Sequence, residues 1–427
     1  MVKIQALPGD YVEVHLSKVI YEGILLEVPE DDKGIILLKL DSGYNLGFNK
    51  RDVLEIKRIR KAQVVKEKIE LKRKDGKPNI AMIITGGTIA ARLNPKKGGV
   101  DWLDTPESLF KFYPELFKKV NVIKVEVPFM KASEDMDFKD WQKLARVAEK
   151  LLNDKHIKGI IITHGTDFLH YTSAALSFFL RNLNKPVVLT YSQRSIDRAS
   201  SDANLNLQCS ALAAVSDIAE VMLVGHASSN DDYCIAIPGT KARKLHSSKR
   251  DAFKPVNSKP FAKIFADKLE IVSEHTRRQN RKIKLDAKFE EKLALVKIYP
   301  GQDPNILDYY VKNKYKGIVL EMSGLGHAPT KRARLGWTQK LKQIQDKGII
   351  VCATTQCVFG RTDALVYSNG RELLNTGIIY LDDMLGETAF VKLGWVLGHA
   401  EWAKNKEKVK EKMLENFAKE FNKRIER

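Results

Sequence analysis

Residues 80–88 read IAMIITGGT and residues 159–167 read GIIITHGTD. Each is an unbroken apolar run that ends on threonine and then turns at glycine. A strand exposed on one face alternates apolar with polar residues; a strand buried on both faces does not. The two runs therefore predict strands of a parallel sheet with helices on both sides, and a polar loop at each carboxyl end. Outward from them the alternation continues. Helical spacing over 138–153 (Trp141, Leu144, Val147, Leu151), 171–183 and 204–216 alternates with apolar strands at 187–189 and 221–224. A basic, irregular stretch follows near 241–290. Strands at 293–299, 317–321 and 348–352, with a helix around 333–345, then predict a second, smaller α/β unit. A Lys/Glu-rich helix closes the chain, with Val409, Met413, Phe417 and Phe421 at i, i+4 spacing.

Ahead of the α/β pattern, short β-rich runs at 11–16, 19–28, 34–40 and 53–56 are separated by Pro-Gly-Asp, Pro-Glu-Asp-Asp and Asp-Ser-Gly turn signals. They predict a small barrel. Such a barrel binds RNA or a partner, or only packs against its own chain. Residues 57–78 then hold ten basic residues against three acidic ones and read as a basic linker. The expected organisation is a barrel at 1–57, a linker at 58–78, α/β domains at 79–285 and 286–400, and a charged helix at 401–427.

The 427 residues are 44% hydrophobic and 29% charged, which permits large cores and excludes wholesale disorder. The net charge of +19 fits contact with a polyanion or acidic partner; a lysine-rich solvated surface is the competing reading. Cys209, Cys234, Cys352 and Cys357 have no CxxC spacing, so neither a disulfide framework nor a zinc ribbon is expected, and no metal site. No apolar run reaches the roughly 18 residues that span a bilayer. The opening MVKIQALPGDYVEV enters a strand pattern at once, so a cytoplasmic protein is expected.

Ligands of open α/β sheets collect at strand carboxyl ends. In the first cluster there, Thr85-Gly86-Gly87-Thr88-Ile89, two glycines permit a sharp turn and close backbone approach, and Thr88 projects from the loop. It fits neither dinucleotide nor P-loop spacing. In the second, Thr163-His164-Gly165-Thr166-Asp167, a hydroxyl beside a carboxylate can hold an ammonium or position a nucleophile. The same pair also makes good helix N-caps. His164 alone reads as a structural histidine. The third is Lys241-Ala242-Arg243-Lys244, where a lysine drawn into a crevice can serve as a base.

TGGTIA, THGTD and the Lys244 before His-Ser-Ser, in that order and at these separations, resemble the asparaginase/glutaminase amidohydrolase family over residues 80 to about 400. The stretches YEGILL, LDSGYNLGF, RSIDRASSDANLNL and DMLGETAFVKLGWVLG look closer still to a branch with an added N-terminal domain. Its members serve as amidase subunits in converting Glu-tRNA(Gln) to Gln-tRNA(Gln). The resemblance implies an asparaginase-like two-domain, three-layer α/β core. It implies Thr88 as nucleophile, with Thr166, Asp167 and Lys244 as the second catalytic cluster. Asp167 would grip the substrate amino group, and Ser133 its carboxylate, with Gly87 and Gly165 lining the site. Glutamine is the expected amide donor, with asparagine as the alternative. No cofactor is expected in this chain: ATP and Mg²⁺ would be used by a tRNA-binding partner, in an assembly of two copies of each subunit. A free-standing asparaginase with an extra domain, and an RNA-binding scaffold with a decayed site, are the competing readings. One departure stands out: the family usually carries an activating tyrosine after the first threonine, and here ARLNPKKGGV places Pro95 there.

Overall fold

The computed structural model describes residues 3–4, 6–26, 28, 34–40, 45–61, 76–93, 100–102, 116–196, 198 and 200–424. An eight-stranded sheet lies at its centre. In spatial order its strands are Asn121–Glu126, Asn79–Ile84, Ile160–Thr163, Val187–Thr190, Val221–His226, Cys234–Pro238, Ala262–Ile264 and Leu269–Ile271. The first five are parallel and the last three antiparallel. Successive side chains of a strand point to opposite faces, and the buried runs divide accordingly. Ala81, Ile83, Ile160, Ile162, Val187 and Leu189 enter one core, beneath helices Phe138–Leu152 and Leu169–Phe179. Ile80, Met82, Ile84, Ile161 and Val188 enter the opposite core, beneath helix Ala203–Val215.

The smaller sheet is wholly parallel, in the order Leu293–Lys297, Gly317–Met322, Ile350–Thr355 and Ile379–Tyr380. One face packs on helices Ile306–Lys312 and Thr338–Asp346 through Leu307, Leu341 and Ile344. The other face, with Leu293, Val319 and Cys352, joins the first core of the large sheet through helix Gly386–Leu397. That helix is buried nearly all round, as a helix between two sheets must be. The two α/β units thus share one hydrophobic layer, and in it Phe178 stacks on Trp395 at 5.7 Å.

The described residues of the N-terminal unit form a six-stranded sheet: Lys3–Ile4, Val53–Arg60, Tyr11–Leu16, Ile20–Leu26, Ile35–Lys39 and Asn45–Asn49 in spatial order. Val12, Val14, Leu25, Ile36, Leu38, Val53 and Ile56 form its own small core.

Four expectations need correction. The strand expected at 53–56 continues to Arg60, so the linker does not begin at 58. Its basic composition hides a pairing with Tyr11–Leu16, where Lys57 and Arg58 lie 3.7 Å from Glu13 and Asp10, and Arg60 covers the Tyr11 ring. The 241–290 stretch is not irregular throughout: short antiparallel strands there extend the large sheet. The helix expected to reach 183 ends at Phe179, because Leu180–Arg181 pairs with Lys284–Leu285 and Asn182 turns left-handed at φ 58°. Phe417 and Phe421 are not on the terminal helix, which stops at Leu414. Beyond it the chain folds back around Glu420, whose carboxylate accepts the N–H groups of Phe417 and Ala418 and pairs with buried Lys392 at 2.6 Å. The basic residues from 62 to 75 lie outside the described residues.

Candidate active site

Chain order reverses between Asn79–Ile84 and Ile160–Thr163. From the first strand the chain moves outward to Asn121–Glu126 and then returns to the other side. Loops leaving the carboxyl ends of such a pair diverge and leave a crevice. Both polar clusters fall here. Thr85 ties the strand ends together, its N–H and hydroxyl both donating to the Thr163 carbonyl at 3.2 and 2.8 Å.

Gly86 and Gly87 then take φ of 119° and 81°, in the region where a side chain is strained. Space excludes one as well. A Cβ on Gly86 would lie 2.3 Å from the Lys131 carbonyl oxygen, and one on Gly87 2.4 Å from the Gly165 nitrogen. Three loops therefore meet backbone to backbone. Thr88 opens a short 3-10 turn, Thr88–Ala90, anchored by buried Ile89 and Ala90. Its half-buried hydroxyl has no hydrogen-bond partner among the described residues.

The second loop is fixed by Ser133. Its buried hydroxyl accepts from the Asp167 and Phe168 N–H groups at 3.1 and 3.3 Å and donates to Glu134 at 3.3 Å. Ser133 opens a short 3-10 turn, Ser133–Asp135, just ahead of the capping box of Asp137 and Asp140 that starts helix Phe138–Leu152. Helix Leu169–Phe179 begins after Phe168 with no side-chain cap, so Thr166 and Asp167 are not its caps. Their partner is Lys244, whose Nζ donates to Thr166 Oγ1 at 2.8 Å and Asp167 Oδ1 at 2.7 Å. Lys244 is 10% exposed and Asp167 60% exposed, so the pair opens outward through the carboxylate.

His164 takes no place in this array. Nδ1 faces the Gly165 carbonyl at 2.7 Å, Nε2 faces Thr172 Oγ1 at 3.0 Å, and burial pushes its pKa down to about 4. It is a neutral histidine that ties the turn to the helix.

The site thus gathers Gly87, Thr88, Ser133, Gly165, Thr166, Asp167 and Lys244 in adjoining loops. Pro95 lies outside the described residues, between the paired strands Ala91–Leu93 and Val100–Trp102. Among the described residues no group of His, Cys, Asp or Glu could hold a metal ion, and no helix is long and apolar enough to cross a membrane. The segment carrying Lys244 brings two residues whose roles sequence spacing did not separate. Lys241 is buried against Asp383 at 2.7 Å, and Arg243 meets Glu387 at 3.2 Å.

Residues 6–59 match the GatD N-terminal domain, 79–277 the asparaginase N-terminal domain and 292–413 the glutaminase/asparaginase C-terminal domain. The corresponding GatD component of the glutamyl-tRNA(Gln) amidotransferase of Pyrococcus furiosus is 45% identical over 97% of this chain and 94% of its own length. That of Archaeoglobus fulgidus is 40% identical over 95% and 94%. The chain belongs to the GatD family of glutamyl-tRNA(Gln) amidotransferase components. Its members carry an asparaginase-type amidohydrolase core behind the extra N-terminal domain. The L-asparaginase of Thermococcus kodakarensis superposes with a TM-score of 0.71 at 27% identity, covering 81% of this chain and 99% of its own. L-asparaginase I of Vibrio cholerae gives 0.68 and 27%, covering 81% and 100%. Free-standing asparaginases thus leave part of the chain unmatched that the GatD family accounts for. This favours the amidotransferase reading over a free-standing enzyme with an added barrel.

Proposed function

We propose that this GatD-family chain releases ammonia from glutamine in the crevice between Thr88 and Lys244. The ammonia then serves a partner, GatE, which binds tRNA and uses ATP and Mg²⁺ to amidate Glu-tRNA(Gln) in the cytoplasm. The observation that carries this is Lys244, drawn in from a distant strand to bridge Thr166 and Asp167, in the loop that Gly87, next to Thr88, meets backbone to backbone. In this reading Thr88 Oγ attacks the side-chain amide carbon and gives up its proton towards the Thr166–Lys244 pair. The C–N bond breaks as that pair returns a proton to the leaving nitrogen. Water then hydrolyses the Thr88 ester to glutamate. Asp167, with its exposed carboxylate, exchanges part of its contact with Lys244 for the substrate ammonium. Ser133 fixes the turn bearing Thr166 and Asp167 and lies where the substrate carboxylate would bind, with Gly87 and Gly165 as backbone walls.

The barrel, taken to end at Arg60 and not at 57, is assigned to holding the partner or orienting the tRNA. Ile20, Leu54 and Ile59 are exposed on it, beside Lys57, Arg58 and Arg60. The remaining chain is divided at 79–285, 286–400 and 401–427, and the assembly is two copies of this chain with two of GatE. With no tyrosine at the usual place after Thr88, activation is assigned to another group or to the partner.

The test is ammonia release from glutamine and asparagine by the full chain, alone and with GatE and Glu-tRNA(Gln). Slow release that rises with the partner and charged tRNA is expected. No release from either amide under any condition would contradict the amidase reading.

A further inference from the structure

Lys244 is the last residue of a three-residue strand, Ala242–Lys244, paired among the described residues with Phe253–Pro255 alone. So short a ribbon cannot hold a side chain to within an ångström by itself. Its own unit packs Phe253 against Tyr191 and ties Gly239 to Ser173, and the polar anchors of the Lys241–Arg243 segment come from the other α/β unit, at the start of helix Gly386–Leu397. The Thr388 hydroxyl donates to the Thr240 carbonyl at 2.8 Å. Lys241 donates to Asp383 Oδ2 at 2.7 Å and to its carbonyl at 3.2 Å. Arg243 Nε meets Glu387 Oε1 at 3.2 Å. Neighbouring residues of a strand point to opposite sides, so Arg243 reaches back to the helix while Lys244 reaches forward to Thr166.

Few other groups share Glu387. His170 Nε2 is 3.8 Å away and held neutral by burial, its pKa pushed down to about 4. Glu321, raised by burial and by Glu387 itself, contributes no positive charge. Glu387 Oε2 is buried with no hydrogen-bond partner among the described residues. Its charge is therefore met by Arg243, on the strand that bears Lys244.

We infer that Asp383 and Glu387 are positioning residues for Lys244: through Lys241 and Arg243 they fix the strand from which Lys244 engages Thr166 and Asp167. The smaller α/β unit thereby sets the catalytic geometry of the larger one without touching substrate. The inference rests on the reading that Lys244 takes part in amide hydrolysis.

The experiment uses Arg243→Met, Glu387→Gln, their double variant and Lys244→Met, in the full chain with its partner. Glutamine hydrolysis is measured well below each variant's Tm. Displacing a catalytic group by about 1 Å can cost roughly 100-fold, so each single variant is expected to lower kcat about 10- to 100-fold with KM within about threefold. The double variant should be no slower than the worse single one, because both act through the same strand. A merely structural pair would lower Tm and leave kcat of the folded protein within about twofold; that result overturns the inference. If Lys244→Met itself runs at the wild-type rate, the catalytic reading of Lys244 fails instead, which is a separate outcome. Should Glu387→Gln fail to fold, Lys241→Met with Asp383→Leu removes a buried charge pair together. That variant should fold and still lose kcat; a folded double variant with full kcat overturns the inference.

Discussion

Lys241 and Lys244 stand three residues apart, and each lies 2.7 Å from a carboxylate. The distances are equal and the roles are not. Lys241 and Asp383 are both fully buried, with side chains 0% exposed, and burial pushes the lysine pKa down. No ligand reaches that pair, and it can act only by holding chain to chain. Lys244 is nearly buried, but its partner Asp167 opens to solvent, so its pairing can be exchanged for contact with a substrate. The exposure of the partner, more than the length of the bond, separates a closed pair from one open to a ligand.

The comparison breaks most visibly at Lys244. Lys244→Met should lower glutamine hydrolysis by about 10²–10⁴-fold, the range of a lost acid–base group. Thermal unfolding should stay within a few degrees of wild type, since Asp167 can be solvated. Lys241→Met should act on stability first: it strands Asp383 in the core and should cost roughly 3–5 kcal/mol in denaturant unfolding. Adding Asp383→Leu should recover most of that loss. If Lys241→Met were neutral to stability, the anchor half of the comparison would be wrong.

Two buried histidines near the site sharpen the contrast through pH. His164 and His170 are held by burial at about 4, below the ordinary 6.5. Between about pH 4 and 6.5 the unfolded chain therefore binds protons that the native chain does not. Stability should rise with pH through that window and level off above it, by up to about 1.4 kcal/mol per pH unit for each histidine. His164→Gln should flatten the slope; an unchanged slope would mean the ring is protonated in the fold. The smallest effect belongs to a pair open on both sides. Lys408 and Glu411 sit 2.8 Å apart on the terminal helix, both exposed, and Lys408→Ala should change stability by less than about 0.5 kcal/mol.

Much of the fold is legible because burial on two faces leaves a short unbroken apolar run, as at Ile160–Thr163, bounded by turn residues. The strand-end clusters are legible for the same reason: glycines after such a run at Gly86 and Gly87 have few other uses. Capping and catalysis cannot be told apart by spacing at Thr166 and Asp167, because both need an oxygen at a helix start. In the structure neither caps the helix that follows, and both meet Lys244, 77 residues beyond Asp167. The anchors Asp383 and Glu387 carry no local signal at all: an acid just ahead of a helix and another in its first turn read as ordinary helix-start charge. The partner of Asp383 lies 142 residues earlier. Short strands dense in lysine or arginine, such as Val53–Arg60 and Ala262–Ile264, are hidden because their charged residues face solvent or pair across the sheet.

Whether Thr88 cleaves the amide that supplies ammonia is decided by Thr88→Ala in the complex with GatE, with Glu-tRNA(Gln) amidation assayed with glutamine and, separately, with ammonium chloride. Ammonium enters after the amide has been cleaved, so glutamine-dependent amidation is predicted to be lost while ammonium-dependent amidation stays at the wild-type rate. Loss of both would make Thr88 a structural residue, and retention of the glutamine-dependent reaction would remove it from the chemistry.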